Sequence, residues 1–244
     1  MSVHHKLLTF TNNILQILRK ICLKLGFVSP NRLRVLTYHD IHQSEEHTLK
    51  VQLNWLKKHW NIVSPPMFAD MISGKKPIIG DNLLITFDDG LISNRVVAEK
   101  ILNPMRIQAI FFVISDFVSI KDSKAAHKFI ANHIIPASKL SEIPVQWRNM
   151  QWEDLKALSE QGHTIGSHTK KHIRLSDCNS ISELEEEMIA SADTITEQLG
   201  ITVEHFAYTF GDIDSFNEEA LEIAKRRFRY VYSGVRGNNA NNVS

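Results

Sequence analysis

The chain has 244 residues, 43% of them apolar and 23% charged, enough for one large α/β domain or two small ones. Its 28 Lys and Arg against 27 Asp and Glu leave a formal charge of +1, which argues against nucleic acid or another polyanion as the main partner. No run reaches the roughly 20 apolar residues of a bilayer span, and Cys22 and Cys178 have no CxxC spacing and fit a reducing compartment.

In chain order, Leu7, Ile14, Leu18, Ile21 and Leu25 fall on one face and predict an amphipathic helix within residues 1–30, packed on the domain. The competing reading is a helix resting on an anionic membrane surface through residues 5–26. The start is basic, but Asn12, Asn13, Arg19, Lys20 and Lys24 interrupt the apolar run and no small-residue cleavage site is clear. The expectation is a cytoplasmic protein, with the inner membrane face as the alternative address.

From residue 31 strands and helices alternate. "LRVLTYH" (33–39), "NLLITFDD" (82–89), "IQAIFFVI" (107–114), "HTIGSH" (163–168), "VEHFAYTF" (203–210) and "RYVYSGV" (229–235) read as strands. "TLKVQLNWLKKHW" (48–60), "NRVVAEKIL" (94–102), "WEDLKALSEQG" (152–162), "SISELEEEMIASADTITEQLG" (180–200) and "NEEALEIAKRRF" (217–228) read as helices. The pattern predicts a parallel sheet, open or closed into a barrel. Residues 115–150, with Pro136 and Pro144 and weak periodicity, are expected to be an insertion or long loop, and 238–244 a flexible polar tail. Active sites of βα barrels lie at the carboxyl ends of the strands. His39, Asp88, Asp89, His168 and Phe210 all fall at or just beyond such ends.

Two motifs carry the chemistry. In "SHTKKH", His168 and His172 are four apart, close enough to share a metal if the segment turns like a helix. A carboxylate such as Asp89 would complete a His₂-carboxylate set, with one position open to a water of pKa near ~7. In "TFDDG", adjacent aspartates point apart on a strand. With Gly90 allowing a sharp turn, one can ligate while the other acts as general base. Each motif alone has a plainer reading: surface histidines at helical spacing, and an Asp-capped turn. The acidic run Glu183, Glu185, Glu186 and Glu187 reads as a solvated helix face, and His133 has no spacing or partner that singles it out.

"TFDDG" and "SHTKKH", with "MQWEDLKALSEQGHTIGSHTKKH" and "FAYTFGD", resemble the polysaccharide deacetylases, carbohydrate esterase family four, from about Leu33 to Gly237. The resemblance implies a distorted (β/α) barrel of about seven strands over residues 31–237. It implies Asp88 as catalytic base, and Asp89, His168 and His172 as ligands of a divalent metal, usually zinc. The substrate would be an acetylated carbohydrate, N-acetyl or O-acetyl, and the Phe210 N–H would steady the tetrahedral oxyanion. Tyr208 and Thr209 are the candidate substrate contacts, with core packing the competing role for the aromatic ring.

The chain departs from the family pattern at the third motif, where Ala207-Tyr208-Thr209-Phe210 stands in place of Arg-x-Pro-aromatic, and in having no histidine after Val235. "VLTYHDI" (35–41) looks like the N-terminal motif of the branch that deacetylates poly-N-acetylglucosamine, which makes His39 the candidate general acid. The competing role for His39 is a hydrogen bond to Asp40 or to backbone. The rival functions are a non-catalytic sugar-binding scaffold, motivated by Ala207 and Thr209, and a non-haem iron oxygenase, which leaves the second aspartate without a role.

Overall fold

Segments rich in β-branched and aromatic residues pair side by side into one parallel sheet. A computed structural model describes residues 21–23, 25, 29–136 and 139–242. The strands are β1 (Arg32–Tyr38), β2 (Asn61–Ile62), β3 (Asp81–Phe87), β4 (Ile110–Val113), β5 (Thr164–Ser167), β6 (His205–Ala207) and β7 (Tyr230–Tyr232). They run in the order β1-β3-β4-β5-β6-β7, with the two-residue β2 beside the start of β3. The sheet curls into a half-barrel whose β1 and β7 edges do not pair with each other.

Helices fill the crossovers that parallel pairing requires. They are α1 (Glu46–His59), α2 (Pro65–Ile72), α3 (Ile92–Val97), α4 (Ser115–Val118), α5 (Ser123–Phe129), α6 (Trp152–Glu160), α7 (Ile181–Glu185), α8 (Ser191–Leu199) and α9 (Glu218–Arg227). A π-helical turn, Glu186–Ala190, joins α7 to α8. The short α2 lies outside every segment that the sequence reads as helical. Ser64 caps it by accepting from the Met67 N–H, with two prolines in its first turn.

Strand periodicity divides the core in two. Leu83, Ile85 and Phe87 face the outer helices and pack with Leu49, Leu53 and Leu56 of α1. Leu33, Leu84, Ile110, Phe112 and Ala207 face the concave side, where Phe68 and Met71 of α2 close over them. Gly166 of β5 belongs here: a Cβ on it would lie 2.6 Å from the Phe112 ring. Along the concave face the residue type changes toward the carboxyl ends. Leu33, Val35, Thr37, His39 and Leu84, Thr86, Asp88 each pass from apolar to polar, and the Thr37 and Thr86 hydroxyls meet at 2.9 Å. The same alternation that builds the core therefore delivers polar groups to one rim.

Residues 115–150, expected to be an insertion or long loop, contain α4 and α5 and pack into a buried cluster that includes Phe117, Phe129, Ile130 and Ile143. Past β7 the Asn238 side chain bonds the edge of β1, accepting from the Leu33 N–H (3.0 Å) and donating to the Asn31 carbonyl (3.1 Å). The amphipathic segment of residues 1–30, and with it the membrane contact expected for 5–26, lies largely outside the described residues. Of its apolar face only Ile21 and Leu25 are described, and both are exposed. Among the described residues no helix is long and apolar enough to cross a membrane.

Candidate active site

The strand β3 ends where the two aspartates begin. The Asp88 N–H still donates to the Tyr38 carbonyl (3.0 Å), as in a ladder, but Asp89 and Gly90 have φ of 74° and 87°. Two consecutive left-handed residues reverse the chain, so the neighbouring carboxylates reach the same rim instead of opposite faces. Gly90 supplies one of these conformations without strain. A Cβ there would also crowd Val118, at 3.1 Å. The turn is tied to the segment before α6: Met150 donates to the Gly90 carbonyl (2.8 Å) and Ile92 to that of Arg148 (2.7 Å).

His168 follows β5, and His172 is brought beside it by a tight turn, not by the helical turn that the spacing suggests. Thr169 and His172 have φ of 64° and 58°, and the Thr169 hydroxyl accepts from the His172 N–H (2.9 Å). Among the described residues, four of the five non-glycine residues with positive φ are Asp89, Thr169, His172 and Phe210, all at this rim. Backbone strain of this kind is held only where surrounding contacts over-determine it.

Those contacts come from elements distant in sequence. Glu187, in the π-helical turn, accepts from the N–H groups of Lys170 (3.1 Å) and Lys171 (2.8 Å) and is 5% exposed. The Ser191 hydroxyl, one turn on, donates to the Thr169 carbonyl (2.9 Å). Glu187 is thus not part of a solvated face. Its burial was not visible in the helical pattern, because it depends on a loop packing over that one turn.

Each histidine has one ring nitrogen committed. His168 Nδ1 lies 2.8 Å from the Ala207 carbonyl, and His172 Nδ1 lies 2.8 Å from that of His133. A carbonyl only accepts, so both Nδ1 atoms carry a proton, and in the neutral ring Nε2 is the nitrogen with the free lone pair. The two Nε2 atoms lie 3.7 and 3.4 Å from Asp89 Oδ1. Burial, with His172 as a lesser cause, holds the His168 pKa well below its ordinary value, which keeps the ring neutral.

Asp89 Oδ1 is buried and accepts no hydrogen bond, although two nitrogens face it. Three acceptors pointing at one another are unfavourable unless a cation lies among them. The three donor atoms lie within 4.8 Å of one another. Ligands at ~2.0–2.2 Å in a tetrahedral arrangement stand about 3.3–3.6 Å apart, close to the distances found. The residues therefore fit a divalent metal.

Asp88 stands beside this set, its side chain 14% exposed, with Oδ1 buried and unpartnered. Burial, and then the Asp89 charge, push its pKa well above the ordinary carboxylate value. Across from it stands His39, whose Nε2 lies 4.0 Å from Asp88 Oδ2 and whose side chain is 61% exposed. Asp40 is not the partner of His39. It accepts from the Ser93 hydroxyl (2.6 Å) and the Trp147 indole N–H (2.8 Å), pinning the 115–150 segment to the end of β1. No sequence signal joins Asp40 to Trp147, 107 residues away.

Phe210 adopts φ 62°, and its ring lies 4.9 Å from that of His172, with the Arg174 guanidinium 5.0 Å above it. Its N–H has no acceptor among the described residues. Tyr208 and Thr209, the expected substrate contacts, are turned inward. The Thr209 hydroxyl is fully buried on the Ile173 carbonyl. The Tyr208 ring stacks on Phe216 at 4.0 Å, and only 5% of the residue is exposed. Both follow a three-residue strand and their side chains pack inward, while Tyr208 still lines the cleft above the site.

The family model for polysaccharide deacetylases matches residues 75–228, more than half of the chain. The chain belongs to the polysaccharide deacetylase family. As a member of it the protein is a carbohydrate deacetylase, a hydrolase, and the half-barrel is the fold of that family. Among solved structures, IcaB from Ammonifex degensii shares 24% identity over 83% of this chain and 84% of its own, with a TM-score of 0.67. The BpsB deacetylase domain from Bordetella bronchiseptica shares 17% identity over 87% and 93%, with a TM-score of 0.64. A de-N-acetylase from Aggregatibacter actinomycetemcomitans shares 19% over 84% and 89%, with a TM-score of 0.61. No curated protein matches the chain. In this deacetylase a cleft of about 1230 Å³ opens over Asp88, Asp89, His168 and His172 and continues between β1 and β7.

Proposed function

We propose that the protein removes N-acetyl groups from a carbohydrate, with a divalent metal, zinc by preference, held by Asp89, His168 and His172 and with Asp88 as general base. The observation that carries this reading is the unpartnered Asp89 Oδ1 facing two imidazole lone pairs. When bound, the cation supplies Lewis-acid polarisation and acidifies water. The chain's own groups do the rest. Asp88 takes the proton of the attacking water. The Phe210 N–H, without an acceptor among the described residues, donates to the oxyanion of the tetrahedral intermediate. His39, exposed at the mouth of the cleft, gives its Nε2 proton to the leaving amine and can take the next one from solvent. The preference for an amide over an ester follows the de-N-acetylase among the neighbours of the same fold.

The test is acetate release from N-acetylated oligosaccharides together with metal analysis. Asp88→Asn is expected to lower turnover by about 10²–10⁴-fold while keeping one metal per chain. Full activity in that variant would remove Asp88 from the base role. A native protein that binds no zinc would remove the metal.

A further inference from the structure

The cleft that starts at the reaction centre continues down the open seam between β1 and β7, and its charges are segregated. The carboxylates lining it are Asp40, Asp88 and Asp89, all at the rim. The arginines lining it are Arg34, Arg229 and Arg236, with no carboxylate among the residues that line that half. Arg34 lies five residues before His39, which is about 16 Å along an extended strand. Arg236 is two residues from Asn238, which bonds Leu33 next to Arg34, so the segment that carries Arg236 runs beside the same end of β1. Arg229 immediately precedes β7 on the opposite lip.

All three arginines are exposed. Neither Arg34 nor Arg236 has an ion pair or hydrogen bond among the described residues, and Arg229 has a 3.5 Å contact with Glu204. Composition does not account for the cluster, since the whole chain carries only +1. Guanidinium forks in one concave site focus positive potential and match the planar geometry of carboxylate and phosphate oxygens.

We infer that this half of the cleft is an anion subsite: the carbohydrate whose acetyl group enters the rim carries a phosphate or carboxylate a few sugar residues away, held by Arg34, Arg229 and Arg236. The inference rests on the deacetylase reading and specifies its substrate.

The test uses the whole chain and one oligosaccharide, chitotetraose, in three forms: neutral, with a 1-phosphate, and with its reducing end oxidised to a carboxylate. Binding is measured by calorimetry at low and high salt, for the native protein and for the Arg34→Gln/Arg236→Gln double variant. At low salt at least one anionic form is expected to bind about tenfold tighter than the neutral one. Both the salt and the double substitution are expected to erase that preference and leave neutral binding unchanged. Which anionic form prevails assigns the group. Equal binding of all three forms, or a preference that survives the substitutions, overturns the subsite. Acetate release is read separately. Its failure on every form, with the binding preference intact, would count against the deacetylase reading and not against the subsite.

Discussion

In the proposed mechanism Asp88 and His39 divide the proton transfers by their surroundings more than by their chemistry. Asp88 has one oxygen buried without a partner and sits next to a second carboxylate. His39 holds its backbone in place through the Asn94 amide, which donates to the His39 carbonyl (2.7 Å), while its ring stands 61% in solvent. A base that must take a proton benefits from a raised pKa, and an acid that must be reloaded benefits from access to water. His39→Gln is expected to lower kcat about 10²-fold or more and to leave metal content and melting temperature near native. A variant that kept native kcat would assign the acid elsewhere. The rim positions of His39, Asp88, Asp89 and His168 were legible because each sits one or two residues past a strand that the apolar and β-branched run marks in the sequence. The inward turn of Tyr208 and Thr209 was not, because β6 is three residues long and "VEHFAYTF" reads as eight.

Among the elements, the segment from α7 to α8 does most to shape the site without touching it. Its π-helical turn inserts Glu187 beneath the "HTKKH" turn, and Ser191 follows four residues later on the same side. A carboxylate that accepts two backbone N–H groups holds a strained turn in which Thr169 and His172 are both left-handed. Supporting contacts of this kind are worth about 10–100-fold in metal affinity. Glu187→Ala is expected to weaken zinc binding by that factor in competition with a chromogenic chelator. Glu187→Gln, which keeps one acceptor oxygen, should lose less. Equal affinity in native protein and Glu187→Ala would show that Thr169 and Ser191 hold the turn unaided. The long helix itself was legible from its capping serine and closing Gly200, as α1 was from Leu49, Leu53 and Leu56. The helices α2, α4 and α5 are eight residues or fewer, too short for a period of 3.6 to stand out from the sequence around them.

For the molecule as a whole, acid tolerance is set at the end of the sheet opposite the chemistry. His163 precedes β5, and its Nδ1 accepts from the Ala109 N–H (3.2 Å) while Nε2 faces the side-chain amide oxygen of Asn103 (2.9 Å), an arrangement only the neutral ring satisfies. His205 opens β6, stacked on Tyr230 at 4.8 Å, with Nδ1 3.0 Å from the Tyr232 hydroxyl. Burial lowers each from 6.5 to about 4. The unfolded chain takes up these protons near pH 6.5 and the folded chain only near 4, so the unfolded state binds more protons throughout that window. Stability contributed by the neutral rings is therefore complete above pH 6.5 and is lost as the pH falls toward 4. Each ring accounts for at most about 3 kcal/mol at 1.36 kcal/mol per pKa unit. His205→Phe keeps an aromatic ring on Tyr230 and removes the titration. Urea unfolding in the presence of a chelator, which takes metal release out of the comparison, should show the native protein losing stability more steeply than His205→Phe between pH 6.5 and 4. The two should run parallel above pH 7. Parallel curves across the whole acid range would mean that His205 is already protonated in the folded sheet.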